Sequence, residues 1–270
     1  MNSLKGMFWY IIILLIIVIL FLFFKKYNEG FNTNYLHGID IIYWINLDRS
    51  SDRRENMEIF FEDEIFSGIQ NKRISAVDGN DEAYVYNQFT VYNYNAKTKE
   101  YACTLSHLNA IKEFNESNNQ VALILEDDCT LELKKYWKKT VREIMQNAPN
   151  DWEIIMLNYI ILPGNNHPFL EWKNGSDYTE VLPSSCLSYI INKKGSNKII
   201  KIENDKYIFN DNIHHVADAY IYKSAKTYCY KYPMFIYPKE NDSNISDGHN
   251  EINYYARNLI IDNYNKIISQ

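Results

Sequence analysis

The sequence predicts an α/β protein, a doubly wound sheet flanked by helices. Residues 121–125 (VALIL) are five apolar, β-rich residues in a row, the pattern of a strand buried on both faces. Glu126, Asp127 and Asp128 follow at once, where such a strand surfaces at its C-terminal end, the edge at which open α/β sheets hold ligands. Short apolar strands then alternate with helical periodicity along most of the chain. Side chains alternate along an extended segment, which would put Glu126 and Asp128 on one side and Asp127 on the other. Two such carboxylates suit Mg2+ or Mn2+, with positions left for water and phosphate. The plain alternative is an acidic turn capping the next helix.

The chain has 270 residues, 46% hydrophobic and 23% charged, a globular composition. Its net charge of −6 argues against a general nucleic-acid binder, which would carry a basic stripe. Cys103, Cys129, Cys186 and Cys229 are widely spaced without a C-x-x-C pair. That spacing is neither a zinc motif nor a disulfide framework, and mostly buried thiols are expected.

Taken in order, residues 1–26 read as a membrane anchor. Positions 7–24 hold no polar-uncharged or charged side chain beyond aromatic ones, and as a helix they reach about 27 Å, close to a bilayer core. Residues 27–38 form a polar stalk, and 39–270 a single soluble domain. A strand over 39–47 runs into a polar turn and a helix capped by Ser51 or Asp52, with Met57, Phe60, Phe61 and Ile65 facing inward. A turn and helix N-terminus carrying Arg49, Arg53 and Arg54 can cradle an anion, the plain alternative being an ordinary βα connection with solvated arginines. A second strand over 72–77 ends in Asp78-Gly79, a turn signal. Residues 80–99 read as irregular. A helix starts at Thr104 with Ser106 and His107 in its first turn.

Beyond the acidic strand the pattern gives a helix over 131–147, a strand over 151–158 and a loop over 162–168. A strand over 186–191 and a helix over 194–203 follow. His214, His215 and Asp218 gather ionisable groups, and 241–249 is a polar loop. A last helix over 250–268 buries Ile252, Tyr255, Leu259 and Ile267.

Seven motifs occur in one order. They are Ile45-Asn46-Leu47-Asp48-Arg49 with Arg53; Ala76-Val77-Asp78-Gly79; Cys103-Thr104-Leu105-Ser106-His107; Leu125-Glu126-Asp127-Asp128; Asp151-Trp152-Glu153-Ile154-Ile155; Ser188-Tyr189-Ile190-Ile191-Asn192 with Gly195; and Asp218 followed by Ser246-Asp247. Together they resemble glycosyltransferase family 25, which includes lipooligosaccharide and collagen galactosyltransferases, over most of residues 39–250. Two features depart from the family pattern: Ala102 stands where a Gly is usual, and Ser246-Asp247 has Tyr237-Pro238-Lys239 as its lead-in where a Gln is common and Gly248 after it where an Ile is common.

The resemblance implies a GT-A-type mixed sheet, a UDP-sugar donor (UDP-galactose first), Mn2+ or Mg2+, and inversion at the sugar carbon. It places Glu126, Asp128 and His249 on the metal, with His214 or His215 as substitutes for His249. It implies donor contacts from Asn46, Leu47, Asp48, Arg49, Arg53, Asp78, Gly79, Ser106, His107 and Asp127. Asp218 is the expected base, with Asp247 its rival. The acceptor would be a glycan, a lipooligosaccharide or a protein, and no nucleic-acid partner is expected. By analogy the chain would be a type II protein of a secretory membrane. Two other classes stay open: an inactive sugar- or nucleotide-binding member, and a metal-dependent phosphohydrolase.

Overall fold

A computed structural model describes residues 16–18, 34–90, 96–160, 176–180, 183–210, 212–239 and 249–268, the side chains of 249, 250, 267 and 268 excepted. The chain divides into two units, Met1–Tyr35 and Leu36–Gln270. The expected anchor at 7–24 lies outside the described residues apart from 16–18, which are helical. Among the described residues no helix is long and apolar enough to cross a membrane.

The second unit is built on a seven-stranded mixed sheet. β1 (Ile41–Asn46) pairs in parallel with β2 (Gln70–Ser75) on one side and β3 (Val121–Glu126) on the other. β4 (Ile154–Met156), β5 (Tyr178–Thr179), β6 (Ser188–Asn192) and β9 (Thr227–Tyr230) complete it in the order β2-β1-β3-β6-β4-β9-β5. β6 runs antiparallel between β3 and β4, so its N-terminal end meets the C-terminal ends of its neighbours. Every residue of β1 is buried, as a strand covered on both faces requires. Ile41, Tyr43 and Ile45 join the main apolar cluster, while Trp44 packs its ring 5.9 Å from Phe61.

Helices cover the sheet: α1 (Ser51–Phe60), α2 (Glu82–Asn87), α3 (Thr98–Glu116), α4 (Val141–Asn147), α5 (Lys193–Ile199), α6 (Ala217–Ser224) and α7 (His249–Ile268). Several sequence expectations are corrected. α3 starts six residues before Thr104, because the Glu100 carboxylate accepts the Lys97 N–H at 2.6 Å and closes an earlier first turn. Residues 80–99 are not wholly irregular: Asp81 caps α2 by accepting the Tyr84 N–H at 3.0 Å.

The helix expected over 131–147 is only its last turns. Thr130 bridges to Ile236, Lys134–Tyr136 forms a single 3-10 turn, and Trp137 sends its Nε1–H to the Met234 carbonyl at 2.9 Å. A capping box between Thr140 and Glu143 then starts α4. The helix expected to reach 203 stops at Ile199. Asn204 and Asp205, both at positive φ, turn β7 (Ile202–Glu203) back onto β8 (Lys206–Tyr207) as a hairpin. In α7 the buried positions are Asn253, Ala256, Arg257, Ile260, Asn263 and Tyr264, with Leu259 packed against the core; Tyr255 is exposed, against expectation, and the side chain of Ile267 lies outside the described residues. An arginine sits inward because its guanidinium donates to the Tyr237 carbonyl and pairs with Glu132.

Gly195 lies where α5 meets the start of β4. A Cβ there would stand 2.9 Å from the Glu153 carbonyl oxygen. The side chain of Glu153 is itself buried, pairing with Lys198 and accepting the Lys226 N–H at 2.8 Å. The clash is with backbone that this network holds in place. Gly195→Ala is therefore expected to lower stability by about 1–3 kcal/mol, measured as a fall in the urea midpoint with unchanged slope.

Candidate functional site

The C-terminal ends of β1, β2 and β3 and the N-terminal approach to β6 share one edge of the sheet. There they open a cleft of about 450 Å³. Leu47, Arg49 and Arg53 line it from the turn after β1 and from α1, and Ala76–Gly79 from the turn after β2. Glu126, Asp127 and Asp128 come from the end of β3, Ser184–Cys186 from the approach to β6, and Val216–Asp218 from the start of α6. The first turns of α3 close another wall with Lys99, Glu100, Cys103, Ser106 and His107.

The acidic triplet does not alternate as an extended strand would. β3 ends at Glu126, and Asp127 and Asp128 lie in the following turn. Arg53 therefore reaches both: Nη1 stands 2.7 Å from Asp127 Oδ1 and 3.6 Å from Asp128 Oδ2. Asn46 Nδ2 donates to the other Asp127 oxygen at 2.7 Å. Burial pushes the Asp127 carboxyl above its ordinary value although Arg53 and Asn46 pull it down. For Arg53 burial acts against its charge, and Asp128 and Asp127 outweigh it. Glu126 takes a different partner, His107 Nε2 at 3.1 Å.

The loop after β2 is held against α3. A Cβ on Gly79 would come 2.7 Å from the Lys99 Cα, so only glycine permits this approach. Ser106 Oγ accepts the Val77 N–H at 2.8 Å and donates to the Ala102 carbonyl at 2.7 Å. Asp78 pairs with Arg49; the Asn80 N–H and Arg49 together hold its carboxyl below the usual range.

Most of the residues expected at a site thus meet in one cleft, with corrections. Asn46 is buried behind the cleft, where it orients Asp127 and bonds Arg73. Asp48 turns to solvent and pairs with Arg73. His215 lies in the core, its Nδ1 3.0 Å from the Tyr101 hydroxyl, and His214 is exposed, so neither joins the acidic cluster. Asp247 and the side chain of His249 lie outside the described residues.

Sequence reading missed Lys99, Ser185 and Tyr237 as lining residues, and it placed Cys103 in a motif without giving it a role. Cys103 was discoverable, because it stands one helical turn before His107. Ser185 carries no such signal. It sits at φ 140° in the wall, fixed by Asn158, Tyr237 and Tyr222, and strain of this kind concentrates at functional sites.

Two donor sets overlap at Glu126. One is the pair of carboxylates of Glu126 and Asp128; the other is Cys103, His107 and Glu126. Burial pushes the Cys103 and Cys186 thiols well up, with Glu126 and Asp218 adding, so neither is a resting thiolate nucleophile.

A family model described as glycosyltransferase family 25 (LPS biosynthesis protein) matches residues 39–214. The chain is 30% identical over 185 residues to procollagen galactosyltransferase 1 of Danio rerio, covering 62% of this chain and 29% of that protein. It is 25% identical over 260 residues to a glycosyltransferase 25 family member of Aedes aegypti, covering 86% and 40%. With procollagen galactosyltransferase 2 of Homo sapiens it shares 29% identity over 184 residues, covering 60% and 28%. The chain spans less than half the length of these relatives.

The Arg53 pair gives a pH-dependent test. A folded-state pKa above the unfolded value, about 3.9 for Asp, favours the folded state at low pH and costs stability as pH rises through it. Arg53→Met raises the Asp127 value further. A deficit of about 3–5 kcal/mol near neutral pH, shrinking toward about pH 4, is expected from urea unfolding at a series of pH values. A deficit independent of pH would contradict it.

Proposed function

The chain belongs to glycosyltransferase family 25, and we propose that it moves a hexose, galactose first, from a UDP-sugar to a hydroxyl of a glycan, lipooligosaccharide or protein acceptor, with inversion. The observation that carries this reading is the convergence of Glu126, Asp127, Asp128 and Asp218 on one cleft at the sheet edge. Galactose leads because two of the relatives above are named as galactosyltransferases.

Asp78, Glu100, Glu126, Asp127, Asp128 and Asp218 face only Arg49, Arg53 and Lys99 as cations on the described walls. A diphosphate enters such a cleft only with a compensating cation. The residues fit one: Glu126 and Asp128 present the hard oxygen donors that Mn2+ or Mg2+ takes, and would hold it. Bound there, it would act as a Lewis acid toward charge on the departing diphosphate.

The chain's own groups supply the rest. Arg53 pairs with Asp127 and Asp128 and holds both carboxylates in place. Arg49, half-exposed at the rim, offers its guanidinium to phosphate oxygens. Ile45, Val77 and Ala102 give the cleft an apolar wall for the base and ribose. Asp218 stands in the first turn of α6 and lines the cleft, its Oδ1 accepting the Ala219 N–H at 2.8 Å. Its second oxygen accepts the proton of the attacking hydroxyl. The apolar run at 7–24 supports attachment to a secretory membrane as a type II protein, tested by extraction of the full chain with alkaline carbonate.

UDP release by the full chain is measured with a panel of UDP-sugars, in Mn2+ and in EDTA. Release is expected with one donor in Mn2+ only, falling at least about 100-fold in Glu126→Ala/Asp128→Ala. Asp218→Asn is expected to lower kcat by about 100- to 10,000-fold with donor KM little changed. Undiminished release in the double variant would overturn the reading, and donor binding without release would favour an inactive family member.

A further inference from the structure

We propose that Cys103, His107 and Glu126 form a binding site for a thiophilic divalent cation of the zinc class. Cys103 and His107 are four residues apart on α3, so they share one face, and Glu126 ends the neighbouring strand β3. One donor atom from each lies within 4.8 Å of the others. Zinc bonds of about 2.0–2.3 Å set tetrahedral donors about 3.3–3.8 Å apart, so side-chain movements of about 1 Å close the set. All three residues line the cleft, which leaves the fourth position to water or a ligand there.

The imidazole is already oriented for this. His107 is buried, with Nε2 toward Glu126 Oε1 at 3.1 Å and Nδ1 held 3.2 Å from the Tyr189 hydroxyl. A ligating histidine needs such a partner on its other nitrogen to fix tautomer and ring angle. The Tyr189 hydroxyl can donate or accept, so the ring proton moves from Nε2 to Nδ1 when Nε2 binds the cation. Cys103 gives its thiol proton to solvent. Cysteine spacing alone hides the site, because its three ligands come from a helix turn and a strand nineteen or more residues further on.

The consequence for catalysis rests on the proposed function. A thiophilic ion that draws Glu126 toward Cys103 and His107 competes with the donor cation for that carboxylate and opposes transfer.

Co2+ titration of the full chain reports binding independently of activity. A thiolate-to-cobalt band in the near ultraviolet is expected to saturate at a single equivalent, to be displaced by Zn2+, to persist in Cys129→Ala and to vanish in Cys103→Ala. Glu126→Gln, at a partly exposed position, serves as the second variant and is expected to lose the band as well. No band in the wild-type chain, or a band surviving in Cys103→Ala, overturns the site. In the UDP-release assay with Mn2+, added Zn2+ is expected to inhibit the wild type, whereas in Cys103→Ala the rate with Zn2+, taken relative to that variant's own rate without it, is expected to be unchanged. Equal inhibition of both overturns the competition, and a chain without transfer activity still leaves the cobalt spectrum to decide the site.

Discussion

The link between Arg53 and the acidic end of β3 is the contact on which the rest of the cleft depends. Three consecutive carboxylates at a strand end repel one another, and Asp127 is largely buried. One guanidinium from α1, with the Asn46 amide beneath, makes that arrangement tolerable. It also joins α1 to β3 across β1, so the turn carrying Arg49 and the turn carrying Asp128 share one geometry. Removing one partner from such a pair is costly because the other charge stays behind.

The remaining walls are fixed by backbone rather than charge. Gly79 lets the loop after β2 touch α3, and Ser106 ties the same loop through the Val77 N–H. The antiparallel insertion of β6 brings Ser184–Cys186 to the edge where the parallel strands end. A purely parallel sheet would have sent that segment to the opposite edge. The strained Ser185 backbone is held by three hydrogen-bonding side chains, the over-determination that such a conformation needs.

Much of this was legible in the sequence, and the failures have physical causes. The buried strand at 121–125 and the carboxylates after it stood out because apolar runs and their ends are local signals. The direction of β6 was not legible, since pairing is decided by distant partners. The alternation expected for Glu126 and Asp128 failed because the strand stops at Glu126 and the turn puts Asp127 and Asp128 on one guanidinium. His215 looked like a ligand and is a core residue bonded to Tyr101. In α7, the polar Arg257 points inward because its bonds to Tyr237 and Glu132 satisfy it, which adds a polar residue to the inner face while Tyr255 faces out.

The central claim is that this cleft holds a nucleoside diphosphate through a cation on Glu126 and Asp128. Calorimetric titration of UDP into the full chain, with Mn2+ and then with EDTA, tests it most directly. The account predicts binding that requires Mn2+ and is lost in Glu126→Ala/Asp128→Ala. Equal UDP affinity in EDTA, or no binding under either condition, would contradict it.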